Sequence, residues 1–291
     1  ISRVGVLPQQ KPHPLSARCQ GALLHLYRPQ AGVTMPTALE IKQIPVMTDN
    51  YIYVIRDAGS GRTGVVDPAL AEPVIDYLES EELALHYILN THHHADHVGA
   101  NRELKETYGC QVIGPAADQD RIPGIDVCVG EGDSFAFGNL TVKVFDTPGH
   151  TRGHIVFYFS SEEALFCGDT LFAMGCGRLF EGTPQQMWHS LRKIRQLPPK
   201  TWVYCAHEYT EANGNFALTI EPSNTALQAR MEQVKQLRAQ NRPTVPSLLA
   251  EEMATNPFLR ADKPDLRREL NMTNTDPVDV FAEIRQRKDK Y

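Results

Sequence analysis

Four histidines and an aspartate crowd into six positions, His92-His93-His94-Ala95-Asp96-His97. A single buried histidine is usually structural. Burying this many unpaired imidazoles would cost several kcal/mol, so the run reads either as metal-binding or as a His-rich surface tract. On a tight loop, alternate residues project toward one point. His92 and His94 then aim together while Asp96 and His97 aim elsewhere, which suits two neighbouring cations better than one. Three more candidates stand beyond apolar, strand-like runs: His150 after Phe145, Asp169 after Cys167 and His207 after Cys205. Strand ends converge on one sheet edge, and Gly149, Gly153 and Gly168 beside them permit close backbone approach. Each signal is weak alone, and His150 by itself also reads as a core or loop histidine.

The elements that must carry these residues follow from periodicity. Ile41, Ile44, Val46 and then Tyr51, Tyr53, Ile55, a turn at Asp57 to Gly61, and Val65-Val66 read as strand, hairpin, strand. A helix is expected over Glu72 to Glu79, a strand over Leu85 to Leu89, and a helix from Ala100 to Tyr108 closed by Gly109, so the histidine run occupies a strand-to-helix loop. Strands are expected near Val112, at Phe135 to Phe137, Leu140 to Phe145, Ile155 to Phe159, Ala164 to Cys167 and Trp202 to Cys205, with a helix at Pro184 to Leu197. This is an α+β pattern of four layers, αββα, with helices outside two sheets. Beyond Tyr209 no strand signal remains. Helices are expected at Asn224 to Gln240, Ser247 to Met253, Asp265 to Leu270 and Val278 to Lys288, giving a catalytic domain over 40–209 and a smaller helical domain over 210–291.

Composition sets the outer limits. At 291 residues, with 42% hydrophobic and 22% charged residues, the chain is ordinary globular protein, neither fibrous nor largely disordered. No apolar run approaches the roughly 18 residues of a membrane span. A formal net charge of −6 argues against a broad nucleic-acid surface. Six scattered cysteines without a C-x-x-C pair suggest a reducing compartment; Cys167 and Cys205, two residues from suspected ligands, read as buried small apolar groups or as tuning groups behind the metals. Residues 1–39 hold Arg3, Lys11, Arg18 and Arg28 but no acid. That is the composition of a transit peptide for a mitochondrion or plastid, or of a disordered leader on a cytoplasmic protein.

Thr91-His92-His93-His94-Ala95-Asp96-His97, Thr147-Pro148-Gly149-His150-Thr151, Gly168-Asp169-Thr170 and Ala206-His207-Glu208-Tyr209 stand in the order of the metallo-β-lactamase superfamily. With Cys176-Gly177-Arg178-Leu179-Phe180-Glu181-Gly182, Asn256-Pro257-Phe258-Leu259-Arg260 and the basic end Arg285 to Asp289, the chain resembles the glyoxalase II (hydroxyacylglutathione hydrolase) family from about Ile41 to Tyr291. The resemblance implies that His92, His94 and His150 bind one divalent metal and Asp96, His97 and His207 a second, with Asp169 between them and no ligand role for His93 or His154. Zinc is the first expectation, with iron or manganese as alternatives according to supply. It also implies a glutathione thioester as substrate, held by Arg178, Tyr209, Asn213, Arg285 and Lys288. Phe180 replaces a tyrosine of mammalian members, so a phenol bond to the carrier is absent there. Taken without the family, Arg285 and Lys288 read first as a solvated helix face and only second as a local patch for carboxylates; the resemblance reverses that order.

The implied reaction is attack of a hydroxide shared by two cations on the thioester carbonyl of S-D-lactoylglutathione, releasing glutathione and D-lactate in methylglyoxal detoxification. Asp96 orients the nucleophile and Asp169 holds both ions. No serine nucleophile is needed, and no G-x-S-x-G is present. Two alternatives remain at this stage: a persulfide dioxygenase of the same superfamily with a single iron, and a catalytically silent binding protein. The enzyme is expected to act as a monomer, without nucleic acid or membrane.

Overall fold

A computed structural model of the chain describes residues 38–291. The leader expected over 1–39 lies outside the described residues except for its last two. The first sheet runs β1 (Leu39–Val46), β2 (Asn50–Asp57), β3 (Thr63–Val66), β4 (Tyr87–Leu89), β5 (Gln111–Pro115) and β6 (Val127–Val129) in that spatial order. Its first three strands pair antiparallel and the rest parallel. Helices α1 (Glu72–Ser80), α2 (Ala95–Val98) and α3 (Asn101–Tyr108) supply the crossovers that parallel pairing requires.

The second sheet is built from β7 (Ser134–Phe137), β8 (Leu140–Asp146), β9 (Ile155–Phe159) and β10 (Ala164–Gly168). A small hairpin, β11 (Leu171–Phe172) with β12 (Gly175–Cys176), then leads to α4 (Pro184–Arg195) and β13 (Trp202–Cys205). Helices α5 (Thr210–Ile220) and α6 (Thr225–Ala239) follow, then β14 (Ser247–Leu248), α7 (Leu249–Thr255), α8 (Pro264–Glu269) and α9 (Pro277–Lys290). The sheet order is β14-β13-β10-β9-β8-β7.

Two apolar cores define the layers. Strand β2 is buried on both faces: Tyr51, Tyr53 and Ile55 join Phe137, Phe157 and Phe166 between the sheets, while Ile52 and Val54 join Val74, Leu78 and Leu104 beneath α1 and α3. Each such side chain contributes about 1.5–3 kcal/mol on burial, so the alternation fixes the register of the strand. On the far side, Trp188, Leu191 and Ile194 of α4 continue the inter-sheet core into Val280, Phe281 and Ile284 of α9. The αββα sandwich expected from the pattern is the observed architecture. α4 starts as Pro184 predicts, with Thr183 and Gln186 forming a reciprocal capping box.

Some elements differ from expectation. The histidine run is split, because α2 begins at Ala95 and carries Asp96 and His97 on its first turn, leaving only Asn90 to His94 as loop. Ser247-Leu248 opens not a helix but a short strand, paired with Trp202 and Val203, and the helix starts at Leu249. Helix α5 has no advance signal, since Asn213-Gly214-Asn215 is poor helical sequence. Tertiary packing overrides propensity there: a Cβ at Gly214 would strike Met231 and Met174.

Candidate metal centre

The histidine loop is pinned from beneath. Asp67 stands just past β3 with a left-handed φ of 49°, and its carboxylate accepts the Thr91 N–H (2.8 Å) and the Thr91 hydroxyl (2.7 Å). The same carboxylate accepts His97 Nδ1–H at 3.1 Å. Gly168, at φ 45°, leaves room for this arrangement, for an added Cβ would overlap the Thr91 hydroxyl. Asn90 holds the other side, donating to the His97 carbonyl at 3.0 Å.

Hydrogen bonds outside the cluster assign the tautomers. The Thr91 hydroxyl spends its proton on Asp67, so it accepts from His92 Nδ1–H at 3.1 Å and leaves His92 Nε2 as a bare lone pair. His150 Nδ1–H donates to the Arg178 carbonyl (2.9 Å) and His207 Nδ1–H to Asp49 (2.9 Å), so their Nε2 atoms are bare as well. His92 Nε2 and His150 Nε2 each lie 3.1 Å from His94 Nδ1. One proton on His94 could satisfy one neighbour but not both.

A second group gathers Asp96, His97 and His207, with Asp96 Oδ2 at 3.5 Å from His97 Nε2 and 3.6 Å from His207 Nε2. Asp169 stands between the two groups. Its Oδ1 faces His97 Nε2 (3.5 Å) and His207 Nε2 (3.4 Å), whereas its Oδ2 faces His150 Nε2 (3.3 Å). His97 Nε2 and Asp169 Oδ1 are buried without a hydrogen-bond partner. Two orphaned buried atoms amid seven converging histidine and aspartate side chains fit divalent cations and little else.

Electrostatics agree. Burial, then the neighbouring imidazoles, pushes His92 well down, and the same causes take His94 down to about 4. Burial and then the other imidazoles likewise lower His154. Burial opposes a charge on His97 too, but Asp169, Asp67 and Asp96 outweigh it and hold that ring up at about 9. A proton there is the smallest cation this carboxylate group can attract. Burial would raise Asp169, yet His97, His207 and His150 bring it well below the usual carboxylate range.

All seven residues singled out as ligands therefore meet in one place. Others that matter here were not singled out as partners: Asp67, Asp49, Asn50, whose amide donates to Asp96 Oδ2 at 3.1 Å, and His154, which accepts the Asp169 N–H at 3.1 Å. A strand followed by an aspartate, as at Val66-Asp67, is the one signal that could have pointed to any of them. The described cysteines are unbridged, and burial pushes Cys205 up to about 12 and Cys176 up to about 11, as inert packing groups behave.

The five residues expected to hold a carrier fall on one side. Arg178 is exposed in the loop after β12. Tyr209 stacks flat on His207, with centroids 4.7 Å apart and planes 4° from parallel. Arg285 lies 5.1 Å over the Phe258 ring, donates to the Cys176 carbonyl at 3.0 Å and pairs with Asp289. Lys288 lies over Phe216 and Tyr291, and burial, then Arg285 and Arg178, brings its ammonium down to about 8. Asn213 differs, because its amide is buried and already donates to the Ala173 carbonyl at 3.1 Å.

Comparison with known proteins matches these two parts separately. Residues 48–207 match the metallo-β-lactamase superfamily and residues 208–291 the hydroxyacylglutathione hydrolase C-terminus. A hydroxyacylglutathione hydrolase of Methylococcus capsulatus is 55% identical over 253 residues, 87% of this chain and 99% of that one. One of Rhodospirillum rubrum is 54% identical over 255 residues, 88% of this chain and the whole of that one. Among solved structures, the B3 metallo-β-lactamase BLEG-1 is 26% identical with a TM-score of 0.58, covering 76% of this chain and 99% of that one. With half its sequence shared across nearly the full length of such relatives, and with side chains arranged to bind divalent metal, the chain belongs to the hydroxyacylglutathione hydrolase family of the metallo-β-lactamase superfamily.

Proposed function

We propose that the chain hydrolyses thioesters of glutathione, S-D-lactoylglutathione first among them, to free glutathione and the hydroxy acid, and so serves methylglyoxal detoxification. The observation that carries this reading is Asp169, whose two oxygens are divided between two groups of lone-pair donors. On this reading His92, His94 and His150 would hold one ion and Asp96, His97 and His207 another, Asp169 would serve both groups, and zinc would be the metal. Divalent ions so held lower the pKa of coordinated water to about 7 and polarise a carbonyl oxygen. Asp96, steadied by Asn50, accepts a hydrogen bond from the attacking water and orients it. A thiol of pKa near 8.5 leaves as thiolate, so no side chain need act as a strong acid. Arg178, Arg285 and Lys288 offer charge-assisted bonds to the carrier's carboxylates, with Tyr209 and Asn213 beside them.

On this reading residues 40–209 carry the chemistry and lend Arg178 and Tyr209 to the carrier site, 210–291 supply the rest of that site, and the chain acts as a monomer. Among the described residues no helix is long and apolar enough to cross a membrane. The acid-free stretch over 1–39 supports import into a mitochondrion or plastid; a reporter fused to it that stays in the cytoplasm would refute this. The function is tested by thiol release from S-D-lactoylglutathione, with metal analysis and an oxygen electrode on the same sample. Thiol release without oxygen uptake, at two zinc ions per chain, is the expected result. Oxygen uptake with a single iron and no thiol release would replace the reading by a dioxygenase.

A further inference from the structure

His93, which the ligand set leaves out, belongs to a four-residue cluster centred on Arg121. His93 Nδ1–H donates to Asp118 Oδ2 at 2.9 Å, and its Nε2 accepts from Arg121 Nη1 at 3.0 Å. Arg121 Nη2 donates to Asp118 Oδ1 at 2.5 Å. The same guanidinium forks onto Glu181, with Nη1 to Oε1 at 2.5 Å and Nη2 to Oε2 at 3.1 Å. Glu181 also accepts the Arg152 N–H at 2.8 Å, and Arg121 holds its carboxyl down at about 2. The Asp118 side chain is fully buried, and Gly153 makes room for it, since a Cβ there would overlap the carboxylate.

The cluster adds a side-chain link to the backbone bond, Ile155 N–H to the Thr91 carbonyl at 2.9 Å, that ties the histidine loop to the segment after His150. Residues 149–150 and 178–182 are already stitched together: Phe180 and Glu181 N–H donate to the His150 carbonyl, Gly182 N–H to that of Gly149, and His150 to that of Arg178. That stitched unit carries His150, and it sets Phe180 edge-on to His94 and His150, with centroids 5.7 and 5.2 Å away. His92 and His94 arrive on a different loop, and His93, pointing the other way between them, is where the cluster takes hold of it. We propose that Arg121 is a positioning residue: bound to His93 and buried Asp118 on one side and to Glu181 on the other, it clamps the unit bearing His150 and Phe180 against the histidine loop. The clamp closes the His92, His94, His150 group. This rests on the metal-binding reading of that group.

The test is zinc affinity by chelator competition on the full chain, with thermal melting as a check on folding. Arg121→Met and the milder, partly exposed Glu181→Gln each weaken one zinc-binding step about tenfold, as loss of an outer partner of a ligand does. The double variant is no more than about twofold weaker than the worse single variant, because both changes open one clamp. Arg195→Met, which breaks a similar fork onto Asp262 away from the centre, lowers only the melting temperature. Zinc affinity within twofold of wild type in both single variants, or fully additive losses in the double variant, overturns the proposal. No turnover is needed for this result, so failure of thioester hydrolysis is distinguishable from it; a wild-type chain that binds no zinc overturns the metal reading and the clamp together.

Discussion

The two ends of the site are built on opposite principles. At the metal end His92, His97 and His150 are buried, and each has a partner that fixes one ring nitrogen so that the other faces inward. At the basic end Arg285 and Lys288 rest on aromatic faces, and Arg178 reaches into solvent. The first end is rigid because its polar groups have no alternative to one another; at the second, Arg285 is buried as well, but the half-buried Lys288 and the exposed Arg178 keep water as an alternative. Losses at the metal end should therefore appear in turnover and metal content, and losses at the basic end in substrate affinity.

The sharpest way to break that contrast is Asp169→Ala. One carboxylate faces both groups, so we expect turnover to fall at least about a hundredfold together with much of the bound metal. Two metals and near-normal kcat by metal analysis and thiol release would remove Asp169 from the centre. Next in size are Asp67→Ala and Asp49→Ala, which free the rings of His97 and His207 to turn. Each should weaken metal binding about 10- to 100-fold in chelator competition, with Asp67→Ala the larger because Thr91 loses its acceptor as well.

At the basic end, Arg285→Ala combined with Lys288→Ala should raise KM about tenfold while kcat stays within a factor of about two, the pattern of lost uniform binding. An unchanged KM would leave Arg285 as a packing group on Phe258 and Lys288 as an ordinary half-buried helix residue, neither of them holding substrate. The smallest effect concerns pH. Lys288 is charged below about 8 and neutral above, so its attraction for a carboxylate is present at pH 7 and fades as pH rises through 8. KM should climb severalfold between pH 7 and 9, and Lys288→Met should flatten that rise. An identical pH profile in the variant would assign the dependence to another group.

The sequence makes the metal end legible to an unusual degree, because four histidines in six positions have few uses and strand ends show where partners must lie. What it hides is the support. Asp49 and Asp67 look like any aspartate beside a strand, and Arg121 and Glu181 are two among 64 formal charges, 60 positions apart. Only the fold brings them together. Asn213 shows the opposite limit: its match to a family position says nothing of the Ala173 carbonyl that occupies its amide. Helix α5 went unseen for a related reason, since contacts with Met174 and Met231, remote in sequence, outweigh the local preference of Gly214.

Strands β10 and β13 lie side by side and parallel, with Ala206 N–H donating to the Gly168 carbonyl at 3.3 Å, so Asp169 and His207 emerge from one shared platform. Parallel neighbours demand a long return path, and here that path holds β11, β12, the Arg178 loop and α4. Part of that excursion is tied down, because residues 178–182 bond back to Gly149 and His150, while the stretches before and after them carry no such bond to the histidines and can change as the two roots stay fixed. A scaffold of this kind can exchange what it recognises without disturbing what it does.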